Sequence, residues 1–195
     1  MQNETYCCCA NISEKQERKF AHLWHLVGNT PMLELHYTYK NQPSKIYVKC
    51  EHYNLTGSVK DRMALYIMHK AYCEKQIEPG DTIVEATSGN TGIAFSAIGK
   101  ALGHNVKIIM PNWLSKERMD IISSLGADIV LVSKKEGGFL GSIGSQLSVI
   151  GGRLCGEGQI WKAESGKERM TLVRQVGVCQ LALNWNPFEM QMALE

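Results

Sequence analysis

Thr82-Ile83-Val84-Glu85-Ala86-Thr87-Ser88-Gly89-Asn90-Thr91-Gly92 runs from a short β-branched segment straight into small polar residues and a helix start. The first five residues read as a strand. A helix follows from about Asn90 to Leu102, with Ala94, Ala97, Ile98, Ala101 and Leu102 on one face and Gly103 as its C′ residue. The same unit repeats on either side. Upstream, Lys45–Cys50 reads as a strand, and a helix from about Ser58 to Glu74 places Ala64, Ile67, Met68, Ala71 and Tyr72 at helical spacing before the Pro79-Gly80-Asp81 turn. Downstream, strand Val106–Met110 ends at Pro111. Ser115 can cap a third helix that stops near Leu125-Gly126, and Asp128–Val132 is a fourth strand. Four strands separated by amphipathic helices predict an α/β fold over residues 45–133, a three-layer open parallel sheet with helices on both faces.

Composition excludes several classes. The chain has 195 residues, 44% of them hydrophobic and 21% charged, the proportions of a globular protein. A net charge of +2 gives no electrostatic case for nucleic acid or an anionic membrane. No uncharged apolar run approaches a membrane span. Met1–Tyr6 has neither a basic start nor an apolar stretch, so no secretory signal is visible and a cytoplasmic location is expected. The seven cysteines form no C-x-x-C pair. His22 and His25 lack a fixed ligand spacing to Cys7, Cys8 and Cys9, so no metal is expected. Reduced thiols are the expectation.

Two helix starts carry the chemistry. Lys60 falls in the first turn of its helix, where the positive dipole end disfavours a charged amine. A neutral amine is what a Schiff base with an aldehyde cofactor requires. An ordinary solvated lysine beside Asp61 fits the same residues. At the second start, a turn after a strand presents backbone N–H groups to an anion. Thr87, Ser88 and Thr91 add hydroxyls, Asn90 adds an amide, and Gly89 and Gly92 clear room for a ligand to approach the backbone. A capped helix with no ligand is the competing reading. In an open parallel sheet, ligands collect beyond the carboxyl ends of the strands, and both segments are expected to follow strands. The Gly57-Ser58-Val59-Lys60-Asp61 segment is not a P-loop: it lacks the earlier glycine, the Gly-Lys pair and the following Ser or Thr.

Thr56-Gly57-Ser58-Val59-Lys60-Asp61-Arg62, Thr87-Ser88-Gly89-Asn90-Thr91-Gly92 and the opener Val27-Gly28-Asn29-Thr30-Pro31-Met32 resemble the fold-type II pyridoxal-phosphate-dependent enzymes. Within them the chain is most similar to the cysteine synthase and cystathionine β-synthase group. The resemblance covers about residues 20–143. It implies pyridoxal 5′-phosphate as cofactor, with Lys60 forming the internal aldimine and moving the substrate's α-proton. Asn90 resembles the residue bonded to the cofactor's 3′ oxygen. Thr87, Ser88, Gly89, Asn90 and Thr91 resemble the loop that grips the amino-acid carboxylate. The implied reaction is β-replacement on an activated serine, through an aminoacrylate that accepts a sulfur nucleophile to give cysteine. A cystathionine β-synthase-like or diaminopropionate synthase-like enzyme, a β-lyase and a non-catalytic truncated fragment are the alternatives.

The resemblance also implies two α/β domains and a homodimer. Residues 44–135 correspond to the smaller domain, 20–43 with 136–195 to part of the larger, and 1–19 to a flexible leader. Departures concern the flanks. Leu55 stands where the family more often has proline, and Gly137-Gly138-Phe139 and Gly151-Gly152-Arg153 lack the hydroxyls of a phosphate cup. After Ile143 the periodicity decays, so residues 144–195 are expected to be an altered tail on a truncated enzyme, adding nothing to the sheet.

Overall fold

A computed structural model describes residues 12–87, 89–136, 160–165 and 168–173. Its elements are α1 (Glu14–Leu26), β1 (Met32–Tyr39), β2 (Gln42–Lys49), a 3-10 turn (Glu51–Tyr53), α2 (Lys60–Cys73), β3 (Thr82–Ala86) and α3 (Asn90–Leu102). They are followed by β4 (Asn105–Pro111), α4 (Lys116–Ser124), β5 (Asp128–Val132), a 3-10 turn (Lys134–Glu136), β6 (Ile160–Ser165) and β7 (Glu168–Val173). The main sheet has the order β5-β4-β3-β7-β6, with β7, β3, β4 and β5 mutually parallel and β6 antiparallel to β7. This is the α/β fold with a parallel sheet that the alternation of periods predicts. The path β3-α3-β4-α4-β5 steps in one direction, so right-handed crossovers place α3 and α4 on one face, where they pack together.

That face holds the core. Ile83 pairs with Val106 and Glu85 with Ile108, so these four share the side on which Phe95, Ile98 and Leu102 of α3 are buried. A Cβ on Gly99 would lie 2.6 Å from Val106 Cγ2; the missing side chain is what lets α3 sit so close to β4. Val84 and Ile109, on the opposite face, are only 1% and 5% exposed. Burial on both faces is what a parallel sheet demands. Gly103 ends α3 in the left-handed region at φ +96°, its N–H donating to the carbonyls of Gly99 and Lys100.

Four expectations are corrected. Lys45–Cys50 is predicted as the first parallel strand, yet β2 pairs antiparallel with β1 in a separate two-stranded ribbon. The cause is a two-residue turn, Lys40-Asn41, with φ of +50° and +59°, the geometry of a tight hairpin. The tail is predicted to leave the sheet alone, yet β6 and β7 extend it beyond β3. An open strand edge is a template for a short extended segment, a pairing that depends on the sheet and not on the segment's own residues. The leader assigned to 1–19 becomes helix at Glu14, because Ser13 caps α1 by accepting from the Gln16 N–H and because Gln16 and Phe20 are buried. Phe20, Leu23 and Val27 belong to the same core as α2, α3, β3 and β4. Finally, Cys50 is a free buried thiol, but Cys73 is disulfide-bonded, a bond that no local spacing announces.

A chain of buried polar groups fastens α1 to the rest. His104 and the Asp81 carbonyl are 2.9 Å apart at Nδ1, and a carbonyl only accepts, so Nδ1–H donates there. Nε2 is then the acceptor for the Tyr72 hydroxyl at 2.8 Å. That hydroxyl in turn accepts from the Gln16 amide, which also donates to the Leu102 carbonyl at 3.2 Å. Burial pushes the Tyr72 hydroxyl up to about 12 and holds the His104 imidazole below its ordinary value, against the pull of the Asp81 carbonyl. Protonating Nε2 would place two hydrogens between His104 and Tyr72.

The unfolded chain binds a proton at His104 near pH 6.5 and the folded chain only at lower pH. Stability is therefore fully present above about pH 6.5 and falls as pH drops below it. Burial lowers His69 as well, which adds to the same loss. Thermal midpoints measured between about pH 7.5 and pH 5 should decline steeply for the parent chain. His104→Gln should be destabilised by about 1–3 kcal/mol at the upper pH and decline less steeply. Parallel curves for the two proteins would refute the neutral-histidine assignment.

Candidate functional site

Lys60 is the first residue of α2 and is partly exposed. Its own N–H donates to Ser58 Oγ at 3.1 Å, and Gly57 turns the preceding chain at φ +80°. The two residues that follow are anchored in opposite directions. Asp61, fully buried, accepts from the Thr56 N–H at 2.6 Å and from the Thr56 hydroxyl, closing the loop 56–61 on itself. Arg62 extends across to Glu51: Nε donates to Oε2 at 2.9 Å and Nη2 to Oε1 at 3.1 Å.

Glu51 is the hub of a wider network. The Thr30 hydroxyl donates to its Oε1 at 2.8 Å while accepting from Arg62 Nη2 at 3.0 Å. The Asn54 amide donates to Oε2 at 2.7 Å, and Asn54 Oδ1 accepts from the Gly28 N–H at 2.8 Å. Side chains of Arg62 and Glu51 are 16% and 24% exposed, so solvent screens the pair only in part. The Arg62 guanidinium holds the Glu51 carboxyl down to about 2, with help from Thr30 and Asn54 and against the cost of burial. Thr30 and Arg62 appear in the quoted motifs without a task; Glu51 and Asn54 escape the sequence reading altogether. The only local hint is a carboxylate placed directly after a strand and before a motif that ends in arginine.

The second segment begins where β3 ends at Ala86. Thr87 is 5% exposed; its N–H donates to the Ile109 carbonyl at 3.0 Å, and its Oγ1 accepts from the Gly89 N–H at 3.3 Å. Ser88 lies outside the described residues. Gly89 is the N-cap residue of α3, and no side-chain hydrogen bond caps the helix among the described residues. Asn90, the first helical residue, is exposed, while Thr91 is buried.

The two glycines differ. A Cβ on Gly89 would meet no atom of the described residues beyond its chain neighbours within 4 Å, so the backbone there is open toward them. A Cβ on Gly92 would lie 2.6 Å from Thr87 Cγ2 and 3.1 Å from Ile108 Cγ2. Gly92 is therefore empty for helix-to-sheet packing rather than for a ligand, which corrects half of the expectation.

The segments also differ in support. Thr87–Thr91 lies at the carboxyl end of a parallel strand, as expected. Lys60 does not: β2 and the 3-10 turn precede it, outside the main sheet. Helix α2, which opens at Lys60, packs against α3, which opens at Asn90. Gly137-Gly138-Phe139 and Gly151-Gly152-Arg153 lie outside the described residues. No helix among the described residues is long and apolar enough to cross a membrane, and no cluster among them could hold a metal ion.

Comparison with known proteins bears on the same region. Over 111 residues the chain is 43% identical to cysteine synthase B of Salmonella typhimurium, an alignment covering 57% of this chain and 37% of that protein. The crystal structure of a hydrogen sulfide-producing enzyme from Fusobacterium nucleatum is 58% identical, with a TM-score of 0.66 over 69% of this chain and 40% of that one. Cysteine synthase from Entamoeba histolytica is 36% identical with a TM-score of 0.58, over 66% of this chain and 39% of its own. The chain thus spans well under half the length of these relatives. Residues 23–147, well over half of the chain, match the family described as pyridoxal-phosphate dependent enzyme, and with both motifs inside that span the chain belongs to this family.

Proposed function

We propose that the chain carries the lysine and carboxylate-binding parts of a cysteine synthase-like β-replacement site. The observation that carries this is the start of α3: among the described residues no side chain caps it and none approaches the glycine that opens it, at the carboxyl end of a parallel strand. Such an end presents N–H donors and the positive dipole end to an anion. An amino-acid carboxylate is the anion proposed, held by Thr87, Ser88, Gly89, Asn90 and Thr91.

The residues present fit pyridoxal 5′-phosphate on the same ground. Lys60 supplies an amine at a partly exposed helix start, and exposed Asn90 supplies an amide for the cofactor's 3′ oxygen. When bound, the cofactor supplies an aldehyde for the amine and an electron sink for the substrate's α-carbon. Lys60 Nζ anchors it and then takes the Cα proton. The carboxylate loop fixes the substrate so that this C–H bond faces Nζ, the geometry that converts contact into reaction. A relative named cysteine synthase supports a β-replacement that ends in cysteine, with an activated serine as substrate and a sulfur nucleophile as partner.

A purified chain incubated with pyridoxal phosphate should turn yellow, and borohydride should fix the label on Lys60. Lys60→Ala should remove the visible band while changing stability by no more than about 0.5 kcal/mol, as a surface substitution does. A colourless parent protein, or label spread over other lysines, would remove the catalytic reading and leave the chain a non-catalytic member of its family.

The two glycines give a second test. Gly92→Ala should destabilise by about 1–3 kcal/mol, because the new methyl collides with Thr87. Gly89→Ala should stay within about 1 kcal/mol of the parent, yet weaken the spectral response to added amino acid. An unaffected response in Gly89→Ala would place the carboxylate elsewhere.

A further inference from the structure

We infer that Glu51 is a positioning residue for the Lys60 amine, an assignment that rests on the role proposed for Lys60. An α-helix turns by about 100° per residue, so the direction of any side chain follows from the rotation of the helix about its axis. At the start of α2 that rotation is set from outside the helix. Arg62, two residues beyond Lys60, grips both oxygens of Glu51 at 2.9 and 3.1 Å. A planar fork on a carboxylate fixes orientation as well as distance, which a single point charge does not.

Glu51 is itself held from three sides. Thr30 donates to one oxygen and Asn54 to the other, and Asn54 also ties down Gly28. Lys49 Nζ donates to the Thr30 carbonyl at 2.7 Å, which adds β2 to the assembly. One carboxylate therefore joins residues 28–30, the 3-10 turn after β2 and the first turn of α2. The Asp61–Thr56 contacts close the loop on the other side of Lys60 but stay within that loop. The contacts of Arg62 with Glu51 and Thr30 tie the Lys60 turn to a separate part of the chain.

The test measures the amine itself. Trace labelling of the full chain with acetic anhydride across a pH series, read peptide by peptide by mass spectrometry, gives the reactivity of Lys60. Lys70 and Lys116, exposed on helices, serve as internal references. Glu51→Gln should shift the Lys60 rate relative to Lys116 by about two- to tenfold with the far-ultraviolet spectrum kept. Arg62→Lys, which keeps the charge and loses the fork, should do the same. Glu51→Asp should restore less than half of the difference if reach as well as charge matters. A Lys60 rate that is unchanged, or that moves only in step with Lys116, would overturn the assignment. If Glu51→Gln fails to fold, Thr30→Val removes one arm of the network and leaves the ion pair, and an unchanged Lys60 rate in that variant would also overturn it. A parent chain that labels as described but stays colourless with pyridoxal phosphate would defeat the cofactor role of Lys60 without touching the positioning claim.

Discussion

The close seat of α3 on β3 and β4 is the constraint on which the remainder depends. Gly92 and Gly99, seven residues apart and so on one side of the helix, leave no room for a Cβ against Thr87 and Val106. Phe95 and Ile98 between them are fully buried, each stabilising the fold by about 1.5–3 kcal/mol. With the helix pressed that tightly, its first turn cannot drift from the carboxyl end of β3. The open backbone at Gly89 is thus held in place by packing several residues away, and the same contacts give α2 and α4 a firm surface to lie on.

A different kind of anchor holds the lysine. Apolar packing is non-directional, and a helix secured only by Ala64, Leu65 and Met68 retains some freedom to roll. The ion pair between Arg62 and Glu51 is directional, and it borrows Thr30 and Asn54 to satisfy the remaining carboxylate lone pairs. A partly buried charge pair is tolerated when its hydrogen bonds are met in this way. The two helix starts are therefore held differently, one helix fixed by shape and the other by charge. The β1–β2 ribbon, by contrast, presents Leu33, Leu35, Tyr37 and Ile46 on one face at 47–52% exposure, an apolar surface of the kind that monomers rarely leave open.

How much of this was legible in the residues follows from the range of each interaction. The bounds of β3 and α3 agree with the pattern because strand period, helix period and the Gly103 stop all lie within a few residues of one another. The Lys40-Asn41 turn was hidden because it lacks the glycine that marks most tight hairpins, and with it the true partner of Lys45–Cys50. Helix α1 was hidden because one of its buried residues is Gln16, a polar group whose partners Tyr72 and Leu102 are far off in sequence. Glu51 is a similar case: its place between a strand and a motif ending in arginine is only a faint sign of a partner eleven residues away. The strands at Ile160–Ser165 and Glu168–Val173 depend on the open edge of β3, and an edge exists only after the sheet has formed. Of the proposed site, Lys60 and the Thr87–Thr91 turn are readable as candidate chemistry, whereas the packing of α2 against α3 required the fold.

The most direct measurement is a crystal structure of the chain after reduction with borohydride in the presence of pyridoxal phosphate. The account predicts a pyridoxyl group on Lys60 Nζ whose 3′ oxygen accepts a hydrogen bond from the Asn90 amide, with the Gly89 backbone open beside it. A pyridoxyl group on Lys60 whose ring turns away from α3, or one carried by another lysine, would contradict the claim that the two helix starts form a single site.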